Sequence, residues 1–337
     1  MIGAKFFGKH DVRVDHYPEP EPGPRDVMVR VRASGVCGTD VHVYEGEVPL
    51  AKFPVIPGHE FCGVVERVGA TVADVSPGDR VAVEPNLFCG QCHYCRTGRK
   101  HFCENWAAVG LTFDGGFAEL AVVPRQAVYQ MPERLSFEAG AFFEPVACVL
   151  HGLERAGVQP GDEVVVLGAG SIGLLFVQLL KRRGAAKVLA ADLDDHKLEL
   201  AEKLGADATT NPSAADLREV VAEFTGGHGA DVVVDAAGVP QLTLPLVRPT
   251  GRILWFGVPP EGEEISIRPF DVYRREITIV GSFTNPDTNE AALRLLPRLD
   301  VEPLVTTPFS DLNQLEGTIR RISAREPGLV KAQWRPA

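Results

Sequence analysis

No stretch of this 337-residue chain approaches the roughly 18 uninterrupted apolar residues that a bilayer-spanning helix needs. The start of the chain also lacks an apolar run behind a basic segment, so neither export nor a membrane is expected, and a cytoplasmic protein is. Basic charge is scarce: 34 Lys and Arg stand against 45 Asp and Glu, a formal charge of −11, which argues against a nucleic-acid partner. There is no low-complexity tract and no internal repeat. At 45% hydrophobic and 23% charged, the composition lies far from that of disordered chains. Disulfides are not expected either. The seven cysteines are odd in number, and four of them crowd into one short stretch, which in a chain without an export signal suits metal ligation.

The length exceeds what one hydrophobic core usually fills, and two domains are expected. In residues 1–150, short β-rich runs such as Val27 to Val31, Gly63 to Val68 and Arg80 to Val83 are separated by Gly and Pro, the texture of an irregular β domain. Pro18, Pro20, Pro22 and Pro24 read as one extended surface loop. In residues 151–280, strand and helix alternate. Val164 to Leu167 has strand length, Ile172, Leu175, Phe176, Leu179 and Leu180 recur on one helix face, Gly184 stops that helix, and Lys187 to Ala191 is a second strand. Leu217, Val220, Val221 and Phe224 mark another helix, and strands follow at Val232 to Val234, Ile253 to Phe256 and Ile277 to Val280. The alternation predicts an α/β fold with a doubly wound parallel sheet. Residues 281–337 are mixed again and are expected to rejoin the first domain.

Gly168, Gly170 and Gly173 stand in Gly-x-Gly-x-x-Gly spacing, where a strand gives way to a helix whose first residues are Ser171 and Ile172. The first glycine permits the tight turn, the second lets backbone approach a pyrophosphate, and the third lets helix pack on strand, with the helix-end amides facing phosphate. Asp192 ends the next strand, 19 positions after Gly173, where a carboxylate accepts hydrogen bonds from ribose hydroxyls and repels a 2′-phosphate. Leu193, Asp194 and Asp195 follow with no arginine, so NAD is expected over NADP. Asp194 and Asp195 themselves suit a helix N-terminus.

Cys89, Cys92, Cys95 and Cys103 supply four thiolates over a short loop, enough to close a tetrahedral zinc shell with no position left for chemistry. His93 and His101, in the same loop, are read as solvated. A second set is scattered: Cys37, His59, Glu60 and Glu144 offer one thiolate, one imidazole and two carboxylates, suited to an open zinc site. Cys62 and Cys148 are read as core residues.

Taken together, these motifs resemble the zinc-containing medium-chain dehydrogenases. The run from Gly58, His59 and Glu60 through Gly63, Gly69 and Val72 is similar to that family's signature, and the Cys37 segment, the four-cysteine lobe and the glycine turn occur in its order. The resemblance implies a GroES-like β-rich catalytic domain built from both termini around a Rossmann domain, with zinc and nicotinamide in the cleft between them. Glu144 before Pro145 is similar to the sorbitol (polyol) and threonine dehydrogenase branch. Two zinc ions per chain are then expected, one catalytic at Cys37, His59 and Glu60 with Glu144 direct or through water, and one structural.

By the same resemblance, Thr39 and His42 relay the alcohol proton, a role their hydroxyl and near-neutral imidazole suit, and Asp40 orients His59. The activity implied is reversible hydride transfer between a secondary alcohol, polyol or sugar-like, and NAD. A threonine-type amino-alcohol dehydrogenase and a non-catalytic NAD- or zinc-binding regulator are the alternatives. Ser282, Phe283, Thr284 and Asn285 lack the arginine that sorbitol dehydrogenases carry near this point. Tyr44, Phe113 and Phe283 are candidate pocket residues. A homo-oligomer, dimer or tetramer, is implied, with Arg252 to Gly257 pairing across subunits.

Overall fold

Val164, Val165 and Val166 are fully buried in succession, as befits a strand apolar on both faces and covered by helices on either side. In the computed structural model, which describes residues 1–259 and 261–337, they lie within a six-stranded parallel sheet. Its order is Ala208–Thr210, Lys187–Ala191, Glu163–Leu167, Ala230–Asp235, Val247–Trp255, Thr278–Gly281. The chain first steps outward from Glu163–Leu167 in one direction and then returns to build the other half. The reversal falls between Glu163–Leu167 and Ala230–Asp235, the point at which such sheets bind ligands beyond their carboxyl ends. Helix Ser171–Arg183 buries Leu174 to Leu180, and Gly184 ends it with φ 97°. Asp194 caps the following helix, Asp195–Lys203, by accepting the His196 N–H at 3.0 Å.

The sheet corrects one expectation. Val247–Trp255 is flanked by Ala230–Asp235 and Thr278–Gly281, so the 252–257 segment presents no open backbone edge for a second subunit.

The chain divides into two compact units: residues 148–284, which hold this sheet, and residues 1–147 together with 285–337. The second of these is built on a sheet ordered Val305–Phe309, Lys331–Trp334, Asp26–Val36, Glu60–Val68, Arg80–Val83, Val128–Gln130, with Leu120–Pro124 also paired to Asp26–Val36. The C-terminal strand therefore lies beside an N-terminal one, antiparallel, with Ala332 opposite Val36. Phe6, Met28, Ile56, Phe61 and Phe117 are buried in this unit's core.

Polar ties fix the returning chain. Asn285 Nδ2 donates to Glu84 Oε2 at 2.6 Å, and Thr288 Oγ1 donates to the Ala147 carbonyl at 2.7 Å. Glu84 Oε1 also accepts the Asn86 backbone and side-chain N–H groups. Burial nonetheless pushes the Glu84 carboxyl above its ordinary pKa. Among the described residues, no helix is long and apolar enough to cross a membrane.

Candidate active site

Cys37 follows the eleven-residue strand Asp26–Val36 and caps the short helix Gly38–Tyr44. The cap is closed by Asp40, whose Oδ2 accepts the Cys37 backbone N–H at 2.8 Å, so the turn that aims the thiol is set by a carboxylate three residues on. Asp40 is fully buried, and its Oδ1 lies 3.7 Å from His59 Nδ1. Burial raises the Asp40 pKa against the opposing pull of His59.

Cys37, His59 and Glu60 bring one donor atom each to within 4.8 Å of one another. His59 is 7% exposed, and its Nδ1 finds no hydrogen-bond partner among the described residues. Burial disfavours a charged imidazole there, yet Cys37 and Asp40 outweigh it and hold the His59 pKa well above the usual value. A buried, electron-rich pocket of thiolate, imidazole and carboxylate fits a borderline-soft divalent cation such as zinc. Glu144 stands in the first turn of helix Phe143–Ala156, half-buried. It lies outside this closest set, but its charge acts on His59.

Lys331 had no signal in the sequence. Its ammonium, 5% exposed, is ion-paired with Glu60, 2% exposed. Burial alone would depress the Lys331 pKa, but Glu60 and Cys37 hold it above the ordinary lysine value. A lysine in a strand near a chain end reads as a solvated residue, and only pairing over some 270 positions of sequence reveals it.

Thr39 Oγ1 lies 3.7 Å from Cys37 Sγ, on the same helix turn. His42 Nδ1 lies 2.7 Å from Glu47 Oε2 at the half-exposed end of the helix. Tyr44 does not line an open pocket. It is 2% exposed in the core, with its hydroxyl donating to Glu316 at 2.8 Å. Phe113 and Phe283 are exposed. Cys62 is buried, its thiol donating to the Phe137 carbonyl and its pKa pushed up by burial, whereas Cys148 is only half-buried and so is not a core residue.

The sulfurs of Cys89, Cys92, Cys95 and Cys103 also lie within 4.8 Å of one another. Backbone N–H groups point at them: Cys92 N–H toward Cys89 Sγ at 3.4 Å, and Cys89 and Asn105 N–H toward Cys103 Sγ at 3.3 Å each. The amides of Gln91 and Cys92 pull the Cys89 thiol down to about 6, while desolvation and its sulfur neighbours push Cys95 up to about 12. Such crowding of thiols suits one shared cation, which is the role four-sulfur zinc shells fill. His93 is exposed and the half-buried His101 packs against Phe102, with the rings tilted and their centroids 4.2 Å apart, and neither joins the cluster.

In the other unit, Gly168 has φ 93°, and a side chain at Gly173 would strike the Gly168 carbonyl. Beyond the Gly170 Cα nothing lies within 4 Å of where a Cβ would sit, and no side chain caps the helix that starts at Ser171 and Ile172. Its first-turn amides are therefore free to meet an anion. Asp192 brackets this turn: its Oδ2 accepts the Ala169 N–H at 2.6 Å and its Oδ1 the Asp194 N–H at 2.9 Å. An open cradle beside a strand-end carboxylate fits a dinucleotide.

Residues 23–133 match the alcohol dehydrogenase GroES-like domain, and residues 171–298 match the zinc-binding dehydrogenase family. An L-threonine 3-dehydrogenase from Pyrococcus abyssi is 34% identical, over 96% of this chain and 94% of its own. The chain belongs to the zinc-binding medium-chain alcohol dehydrogenase family. As a member it is an oxidoreductase acting on CH–OH donors with zinc and NAD(P). The chain is also similar to a D-altritol 5-dehydrogenase from Agrobacterium fabrum, 37% identical over 88% of each chain. A solved chain from Sinorhizobium meliloti, bound to NADP, superposes with TM-score 0.94 at 38% identity, covering 99% of both.

Proposed function

We propose that this dehydrogenase oxidises a hydrophilic secondary alcohol, polyol or sugar-like, reversibly and with NAD. The observation that carries the reading is the convergence of half-buried Cys37 with buried His59 and Glu60 in a donor set separate in sequence and composition from the four-cysteine lobe. In this reading Cys37 and His59, with Glu60 and Glu144 as the acidic partners, hold a catalytic zinc, and Cys89, Cys92, Cys95 and Cys103 hold a structural one. Zinc supplies Lewis acidity that lowers the pKa of an alcohol, and the nicotinamide supplies the hydride acceptor.

The chain's own residues supply the proton path and the cofactor preference. Thr39 accepts the alcohol proton through its hydroxyl and passes on its own. His42 carries the proton toward solvent; with Nδ1–H donated to Glu47, its Nε2 is left as the accepting nitrogen. Asp40 holds the Cys37 turn and faces His59, fixing both without touching substrate. Asp192 favours NAD, since a carboxylate at that position accepts ribose hydroxyls and repels a 2′-phosphate.

A second reading is an amino-alcohol substrate of the threonine type, supported by the coverage of the Pyrococcus relative, 96% of this chain against 88% for the altritol enzyme. A panel of polyols, sugars, simple secondary alcohols and L-threonine, each with NAD and with NADP and followed by reduced-cofactor absorbance, separates them. Turnover of a polyol with NAD is expected. Turnover of threonine and of no polyol rejects the first reading.

A further inference from the structure

All four residues of the strand Lys331–Trp334 are buried, including the charged Lys331. Its ion pair with Glu60 spans a strand. Asp26–Val36 lies between Lys331–Trp334 and Glu60–Val68, and Gly35 sits opposite Gln333 on one side and Glu60 on the other. A Cβ on Gly35 would overlap Glu60 Oε2 and come within 3.0 Å of Lys331 Cε. The sheet is thus built around this contact, with a glycine where any larger residue would break it. Glu60 and Lys331 thus form one buried ion pair beside the Cys37 and His59 donors.

We propose that Lys331 is a positioning residue for the reaction: it holds the Glu60 carboxylate in place and cancels its charge, so that the cation bound by Cys37 and His59 keeps its pull on the substrate oxygen. The proposal rests on the reading of Cys37 and His59 as metal ligands. Without Lys331, Glu60 is an uncompensated anion beside the cation. The metal is then held more tightly and polarises substrate less. Retention and turnover move in opposite directions, whereas a merely structural lysine lowers both when removed.

The test is the rate at which purified holoenzyme releases zinc to a chromophoric chelator, with the phase missing from Cys37→Ala assigned to this site, alongside the pH profile of kcat. Lys331→Met is expected to slow that phase by about tenfold or more, lower kcat by about tenfold and move the rising limb of the profile to higher pH. Lys331→Arg is expected to stay close to wild type in all three. Release from Lys331→Met as fast as from wild type, or faster, overturns the proposal. Should Lys331→Met not fold, the Glu60→Gln background decides: Glu60→Gln alone is expected to release zinc faster than wild type, and adding Lys331→Met to slow release again. Equal rates with and without Lys331 in that background overturn the proposal too. Wild-type holoenzyme carrying zinc only in the cysteine lobe would be a different result, refuting the metal reading on which the proposal stands.

Discussion

Asp40 Oδ2 accepts the Cys37 backbone N–H at 2.8 Å, while the other oxygen of the same carboxylate faces His59 at 3.7 Å. One buried acid thereby sets two residues that lie 22 positions apart in the chain. Asp40→Asn keeps the shape and removes the charge. It is expected to weaken zinc at the Cys37 site by about 10–100-fold and to lower kcat, with the four-cysteine zinc unaffected. Competition against a graded series of chelators measures this; unchanged affinity would show that Asp40 acts only as a helix cap.

The two cysteine-containing sites should fail differently. Cys103→Ser is expected to lose about one zinc per chain and expose the 89–103 loop to proteolysis, because the shell of four sulfurs is what orders that loop. Cys37→Ala is expected to abolish turnover while the melting temperature stays close to wild type. Zinc analysis, limited proteolysis and thermal melts on both variants check this, and equal loss of structure in the two contradicts it.

Glu84 ties the returning segment to the N-terminal sheet, and its removal takes one acceptor each from the Asn86 backbone N–H, the Asn86 amide and the Asn285 amide. Glu84→Ala is expected to cost roughly 2–4 kcal/mol. The pH dependence has a definite sign. Burial raises the folded-state pKa above the ordinary 4.5, so the carboxyl's contribution is full below that value and fades as pH rises through the folded pKa. The variant's deficit in melting temperature should therefore be larger at about pH 5 than at about pH 7.5. A deficit that grows with pH would contradict the assignment.

Asp192→Ala should raise the KM for NAD and cut discrimination against NADP by about tenfold or more, through loss of both the ribose acceptor and the repulsion of a 2′-phosphate. The ratio of kcat/KM values for the two cofactors measures it. An unchanged ratio places cofactor choice elsewhere.

Most of the parallel sheet was legible because its central strands are apolar and its helices repeat on one face, whereas the edge strand Ala208–Thr210, with two threonines, carries no such signal. The strand Lys187–Ala191 and the helix Leu217–Phe224 begin and end where periodicity places them. The glycine turn and the four-cysteine spacing are local, so sequence carries them as well. What sequence withheld is non-local. Lys331 meets Glu60, and Asn285 meets Glu84, only because the chain returns to its first sheet, and no periodicity encodes which returning residue faces which acid. Tyr44 follows a chemistry-bearing segment yet turns inward to Glu316, a contact across 272 positions. The 252–257 strand looked available for a second subunit because apolar periodicity does not distinguish an edge strand from an interior one.

In the proposed reading Cys37 and His59 hold a second metal, distinct from that of the cysteine lobe. Diffraction from crystals of the holoenzyme at wavelengths on both sides of the zinc absorption edge tests it most directly. Two anomalous peaks per chain are expected, one among Cys89, Cys92, Cys95 and Cys103 and one within bonding distance of Cys37 Sγ and a His59 ring nitrogen. A single peak in the cysteine lobe, from fully active protein, would contradict it.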